Sequence, residues 1–173
     1  INDAIKKGVK EIFIGIGGSS TNDLGLEIFS ALGVIFLDKY NNEIIPTGSN
    51  LFKISKLIIS NSCENKIKKV KWFIAKDVEN ILFGKNGAAY TFAEQKGANK
   101  NDIKKLESGG IAVHEILSSY FKKDYSKIEG AGAAGGCGYG LKLFTDGEFI
   151  NGIDILLKII DIDRIITKDI KYI

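Results

Sequence analysis

Four stretches of the chain combine residue types that can hold an anion or move a proton. The first is Gly15-Ile16-Gly17-Gly18-Ser19-Ser20-Thr21-Asn22-Asp23. Glycines let successive backbone N–H groups turn toward one concavity, hydroxyls add donors, and a following helix adds its N-terminal partial charge, a combination that suits a phosphate or a carboxylate. The same string also reads as a tight strand-to-helix turn capped by Ser20, Thr21 or Asp23. The second stretch is Asp77-Val78-Glu79-Asn80, with Gly84-Lys85-Asn86-Gly87 behind it. An aspartate just past the carboxyl end of a strand can hold Mg²⁺ or accept a proton, and it can equally start an Asx turn. In the third, Gln95-Lys96-Gly97-Ala98, the lysine either complements a helix C-terminus or stabilises a phosphoryl group. The fourth, Gly130-Ala131-Gly132-Ala133-Ala134-Gly135-Gly136, contains a formal Gly-x-Gly-x-x-Gly. A dinucleotide fingerprint needs a strand immediately before it, and Asp124 to Glu129 is polar and short. Glycine and alanine there let backbone approach a ligand or let a helix pack closely.

Other reactive side chains carry less. His114, the only histidine, sits in an apolar helical stretch and reads as structural, because a metal would need partners the sequence does not display. Cys63 and Cys137 lie far apart, which suggests neither a metal knuckle nor a disulfide framework and points to a reducing cytoplasm. Cys137 and Trp72 read as buried. No Gly-x-x-x-x-Gly-Lys-Ser/Thr string occurs, so any nucleotide is held by something other than a P-loop.

The elements that position these residues follow from hydrophobic period and punctuation. Residues 11–16 read as a buried strand, Thr21–Leu32 as a helix stopped by Gly33, Val34–Leu37 as a strand and Tyr40–Glu43 as a turn. A strand is expected at Val70–Ala75 and a helix at Asn86–Lys96, ended by a left-handed Gly97. A longer helix should run from Asp102 to Phe121 with Gly109-Gly110 as a weak point. Residues 130–140 form a loop entering a close-packed helix, Gly152–Ile160 a helix, and Arg164–Thr167 a short strand. Alternating strands and helices predict an α/β layered domain, with helices on a mostly buried, mixed sheet, occupying residues 1–173 as one domain.

Composition narrows the class. The 173 residues carry 24 basic and 21 acidic side chains, a formal charge of +3, without the concentrated basic face of a nucleic-acid reader. No apolar run approaches the roughly 20 residues of a membrane span, and the first residues do not show the basic-then-apolar pattern of a signal peptide, so secretion is not expected. With no methionine even at position 1, the sequence reads as an excerpt. Twenty glycines against one proline, Pro46, indicate special backbone geometry rather than a disordered linker.

Several separate strings in one order resemble the bacterial glycerate kinase family with two α/β domains. They are GIGGSSTND at 15–23, Ala31-Leu32-Gly33, DVENILFGKNGA at 77–88, Phe92 with QKGA at 95–98, GAGAAGG at 130–136 with Gly138 and Gly140, and Gly152-Ile153-Asp154. The resemblance covers nearly the whole chain but only the middle of the family's, so an active site shared between two domains would be incomplete here. It implies transfer of the ATP γ-phosphoryl group to D-glycerate, giving 2-phosphoglycerate, with ATP and Mg²⁺ required, in the cytoplasm, with a homodimer left open. On these positions it implies that Gly17, Gly18, Ser19, Ser20, Thr21 and Asn22, with Asn80, Asn86, Gly132 and Gly135, hold phosphate or substrate. Asp77 and Lys96 become the catalytic candidates, and Asp23 and Asp77 the metal candidates. Two rivals stand beside it: an inactive anion-binding domain of the same family, and a dinucleotide-dependent oxidoreductase resting only on Gly130–Gly135. The shared requirement is that 15–23, 77–88 and 130–136 meet around one anionic guest.

Overall fold

A computed structural model describes residues 1–161 and Arg164. In chain order the elements are α1 (Asn2–Lys6), β1 (Glu11–Gly15), α2 (Leu26–Leu32), β2 (Ile35–Leu37), β3 (Lys56–Ile58), α3 (Asn61–Lys68) and β4 (Lys71–Lys76). There follow α4 (Ala88–Phe92), α5 (Lys100–Phe121), α6 (Ala133–Thr145), β5 (Glu148–Asn151) and α7 (Gly152–Ile159), with 3-10 turns at Gly48–Lys53 and Glu94–Lys96. The α/β class is as the sequence predicts.

The expected mixed sheet resolves into two. The main sheet has the order β1-β4-β5 and is parallel throughout, with Ile14 opposite Ile74 and Ile74 opposite Phe149. Among the described residues, antiparallel pairing joins β2 to β3 in a separate ribbon, with an isolated bridge from Leu37 to Glu43. Burial of the main sheet is one-sided. Trp72 and Ile74 on β4 are 1% and 0% exposed, and the Trp72 indole N–H donates to the Ile67 carbonyl at 3.0 Å. Phe13 on β1 is 53% exposed and stacks on half-buried Phe73 at 4.5 Å, and among the described residues this other face is only partly covered, with Ile155 and Ile159 of α7 bordering it.

Helix boundaries shift where the backbone turns left-handed. The helix expected from Thr21 begins at Leu26, because Leu24 (φ 59°) and Gly25 (φ 72°) interrupt it. Asp23 then caps the true start, its Oδ1 accepting from the Gly25 N–H at 3.2 Å and its Oδ2 from the Glu27 N–H at 3.1 Å. Leu26, Phe29 and Leu32 face the core at helical spacing, and Phe29 stacks on Phe144 at 4.1 Å. Gly33 ends α2 with φ 109°, as expected. The Asn86–Lys96 helix splits into α4 and the 3-10 turn, and Gly97 supplies the left-handed end at φ 92°.

On α5, Asn99 and Asp102 form a capping box, and the helix passes Gly109-Gly110 unbroken. Those glycines are contact points: a Cβ on Gly109 would sit 3.2 Å from Leu51 Cβ, and one on Gly110 3.2 Å from the Phe83 ring. The strand expected at Arg164–Thr167 lies outside the described residues except for Arg164, whose N–H bonds to the Asp161 carbonyl in a helical turn. No helix among the described residues is long and apolar enough to cross a membrane. Cys63 and Cys137 are free and buried.

Candidate functional site

Parallel pairing of β1 with β4 sets Gly15 beside Ala75, so the segments that follow them leave the same edge of the sheet together. Gly17, Gly18 and Ser19 from one, and Asp77 and Val78 from the other, line a hollow of about 160 Å³ with Phe92, Gln95, Lys96 and Ala134. Gly17 approaches the carboxylate closely: a Cβ there would lie 3.6 Å from Asp77 Oδ2. Gly18 has φ +62° and open space where a side chain would be. This leaves backbone amides accessible at the wall.

Lys96 closes the opposite side. Its Nζ donates to Ser19 Oγ at 2.9 Å and to the Thr21 carbonyl at 2.6 Å, tying the turn after α4 to the glycine loop across 75 residues of sequence. Burial pulls its pKa below the usual lysine value, and the nearby Asp23 carboxylate opposes that shift. The hollow thus presents a fixed ammonium and an exposed carboxylate, a pairing suited to a guest that carries an anionic group and a hydroxyl.

The fourth glycine stretch holds these walls in place. Ala134, Gly135 and Gly136 run left-handed (φ 53°, 68° and 89°) before the regular part of α6. A Cβ on Gly135 would collide with the Thr21 carbonyl oxygen, and one on Gly132 with the Ile81 carbonyl oxygen. The Gly132 N–H donates to the Asn80 carbonyl at 2.8 Å, and the Leu24 N–H to the Gly135 carbonyl at 3.2 Å. All three stretches, 15–23, 77–88 and 130–136, therefore meet at one place. The element immediately before Gly130 is α5 rather than a strand, so the oxidoreductase fingerprint lacks its structural context.

The sequence candidates divide by what they do here. Gly17, Gly18, Ser19, Asp77 and Lys96 share the hollow. Asn80 clamps its own loop, its Nδ2 donating to the Asn86 carbonyl at 2.7 Å, and Asn86 takes part through that carbonyl. Gly132 and Gly135 serve close approach of backbone. Thr21 contributes its carbonyl, Ser20 is exposed, and neither they nor Asn22 line the hollow. Buried Asn22 Nδ2 has no hydrogen-bond partner among the described residues. Val78, Phe92 and Ala134 form apolar walls that carry no chemical signature in the sequence. The one available signal was the glycine-alanine density around Ala134, which marked unusual backbone without saying where it faced.

Asp23, 3% exposed, commits both carboxylate oxygens to the first turn of α2, which places it in capping rather than at the hollow. Among the described residues no three His, Cys, Asp or Glu side chains cluster as a metal site. Mg²⁺ typically uses one or two carboxylates and completes its shell with phosphates and water, and exposed Asp77 at the hollow fits that pattern. Burial pushes the Cys137 thiol up to about 12, so it is no nucleophile near neutral pH. His114 is structural, its Nδ1 bonded to the Tyr139 hydroxyl at 2.9 Å.

Known proteins place the chain. The model of the glycerate kinase family matches residues 1–173. The glycerate kinase of Halalkalibacterium halodurans is 37% identical over 99% of this chain and 44% of its own length. The glycerate 2-kinase of Escherichia coli is 36% identical over 95% of this chain and 43% of its own. A crystal structure assigned as glycerate kinase 2 from Salmonella typhimurium superposes with a TM-score of 0.87 at 32% identity, covering 94% of this chain and 43% of that one. The chain spans less than half the length of these relatives. On its sequence and its fold together, it belongs to the glycerate kinase family.

Proposed function

We propose that this chain carries the acceptor site of a cytoplasmic kinase that transfers the γ-phosphoryl group of ATP to D-glycerate, giving 2-phosphoglycerate. The supporting observation is the Lys96 ammonium, fixed on Ser19 and the Thr21 carbonyl, in one hollow with the Asp77 carboxylate. Glycerate brings the complement. Its carboxylate faces Lys96 and the N–H groups of Gly17 to Ser19, and its hydroxyl faces Asp77. As that hydroxyl oxygen bonds to the γ-phosphorus, its proton passes to one Asp77 oxygen. The bond from phosphorus to the bridging oxygen breaks, and ADP leaves with the electron pair. The residue that would hold Mg²⁺ is Asp77, together with the phosphates; when bound, the ion offsets charge on the phosphoryl oxygens. We read the chain as one α/β domain of a two-domain enzyme.

Coverage of only 43–44% of the relatives' length favours a second reading, a domain that binds glycerate or another anion without turnover on its own. A coupled ADP-release assay with D-glycerate separates the two. In a complete enzyme carrying this domain, Asp77→Asn should cut turnover about 100-fold or more, the lower range for general-base catalysis. A change smaller than tenfold removes Asp77 as the base.

A further inference from the structure

A separate cavity lies at the amino end of the main sheet. Thr145 and Asp146 line it just before β5, whose first residue, Glu148, stands opposite Phe73, whereas the hollow begins past Gly15 and Ala75 at the carboxyl end. It measures about 390 Å³, within the roughly 300–1,000 Å³ typical of small-molecule pockets. Residues of α3 and of the ends of α5 and α6 build it.

Its floor is apolar and largely aromatic. Ile67 and Leu143 are buried, as is Phe144. Phe121 meets Phe144 edge-on at 4.9 Å, and Tyr120 meets Phe121 edge-on at 5.0 Å, which carries the aromatic surface out to a ring that is 49% exposed. A planar apolar ligand gains by covering that ring.

The rim is charged and balanced. Glu64 pairs with Lys68 at 2.6 Å, and Lys123 with Asp146 at 3.2 Å. Both pairs stand in solvent, so a ligand can share them at little cost. Lys68 engages Oε1 of Glu64, and Oε2 has no partner among the described residues. Lys123 has three ammonium donors, more than its pairing with Asp146 uses. A free carboxylate oxygen calls for an ammonium and a free ammonium donor for a carboxylate, while equal numbers of each sign disfavour a ligand of net charge. The left-handed ends of α5 at Lys122 and of α6 at Asp146 bring two helix C-termini here, whose partial negative charge supports the ammonium.

We infer that this cavity binds a zwitterionic α-amino acid with an aromatic side chain. Its ring covers Tyr120 and Phe121, its ammonium takes Glu64 Oε2, and its carboxylate takes Lys123. The site is distinct from the acceptor hollow and does not depend on the kinase reading.

Calorimetric titration and amide NMR of a complete enzyme carrying this domain test it with three probes that share a ring: L-phenylalanine, phenethylamine, which lacks the carboxylate, and 3-phenylpropionate, which lacks the ammonium. L-phenylalanine should saturate, shift Glu64, Tyr120 and Thr145 and spare Gly18 and Ser19, and each partial probe should bind at least tenfold more weakly. Tyr120→Ala should weaken L-phenylalanine binding at least tenfold. Glu64→Gln should abolish the preference for L-phenylalanine over 3-phenylpropionate. Both side chains are exposed, and circular dichroism checks that the variants fold. No saturation at millimolar L-phenylalanine, equal affinity for the three probes, shifts centred on Gly17–Ser19, or unchanged affinity in folded Tyr120→Ala would each overturn the site. A preference that survives Glu64→Gln would overturn it as well.

Discussion

Two glycine-rich regions meet at the site, and they use the residue for opposite reasons. Around Gly15 and Gly18 a missing side chain leaves empty space: nothing lies within 4 Å of where either Cβ would be. Around Gly132, Gly135, Gly138 and Gly140 the absent Cβ would fall on the carbonyl oxygens of Ile81, Thr21, Gly130 and Leu24. The first region keeps backbone open to a guest. The second is a joint in which chain crosses chain at backbone distance. Counting glycines cannot tell an open wall from a closed joint, whereas the surroundings of each missing Cβ can.

Substitution series test that distinction, and the largest effect belongs to the joint. Gly135→Ala places a methyl against the Thr21 carbonyl at a left-handed φ of 68°, and should cost about 3 kcal/mol or more in urea unfolding. Asp23→Ala removes the cap of α2 between the two regions, and should cost about 1–2 kcal/mol by the same measurement. Gly18→Ala meets no neighbour but must adopt φ +62°, so about 1 kcal/mol is expected. Gly15→Ala has neither collision nor positive φ and should stay within about 0.5 kcal/mol. Equal losses for Gly15→Ala and Gly135→Ala would erase the contrast.

A smaller, pH-dependent effect sharpens the account of α6, the helix that carries the joint. Asp146 ends that helix, and its carboxyl is held below the ordinary 3.8, first by its hydrogen bond with Lys123 and then by the Tyr125 hydroxyl. A lowered carboxylate pKa stabilises the fold fully above the unfolded value, and the gain is lost as pH falls through the folded one. Acid titration of stability below pH 3.8 should therefore be shallower in Asp146→Asn than in the unaltered chain.

Much of this was legible. The isoleucine-rich run 11–16 marked β1, the apolar run Val70–Ala75 marked β4, Gly33 and Gly97 marked helix ends, and the three stretches converge as their chemistry required. Other features leave little trace. β3 and β5 have three and four residues, too few for a period to declare itself. Left-handed Leu24 and Ala134 contradict their own propensities, because surrounding packing rather than local preference fixes them. Asp23 looked like a ligand by residue type, and only coordinates reveal which hydrogens its oxygens already accept.

The face of the main sheet that carries Phe13 is only partly covered among the described residues, which has a practical consequence. With exposed Phe13 stacked on half-buried Phe73 and Lys71 laid over the Phe73 ring at 4.5 Å, this surface should bind hydrophobic dyes such as ANS in the native state. The same lysine then acts as a gatekeeper, and replacing it with a neutral side chain should lower the concentration at which the purified chain begins to precipitate.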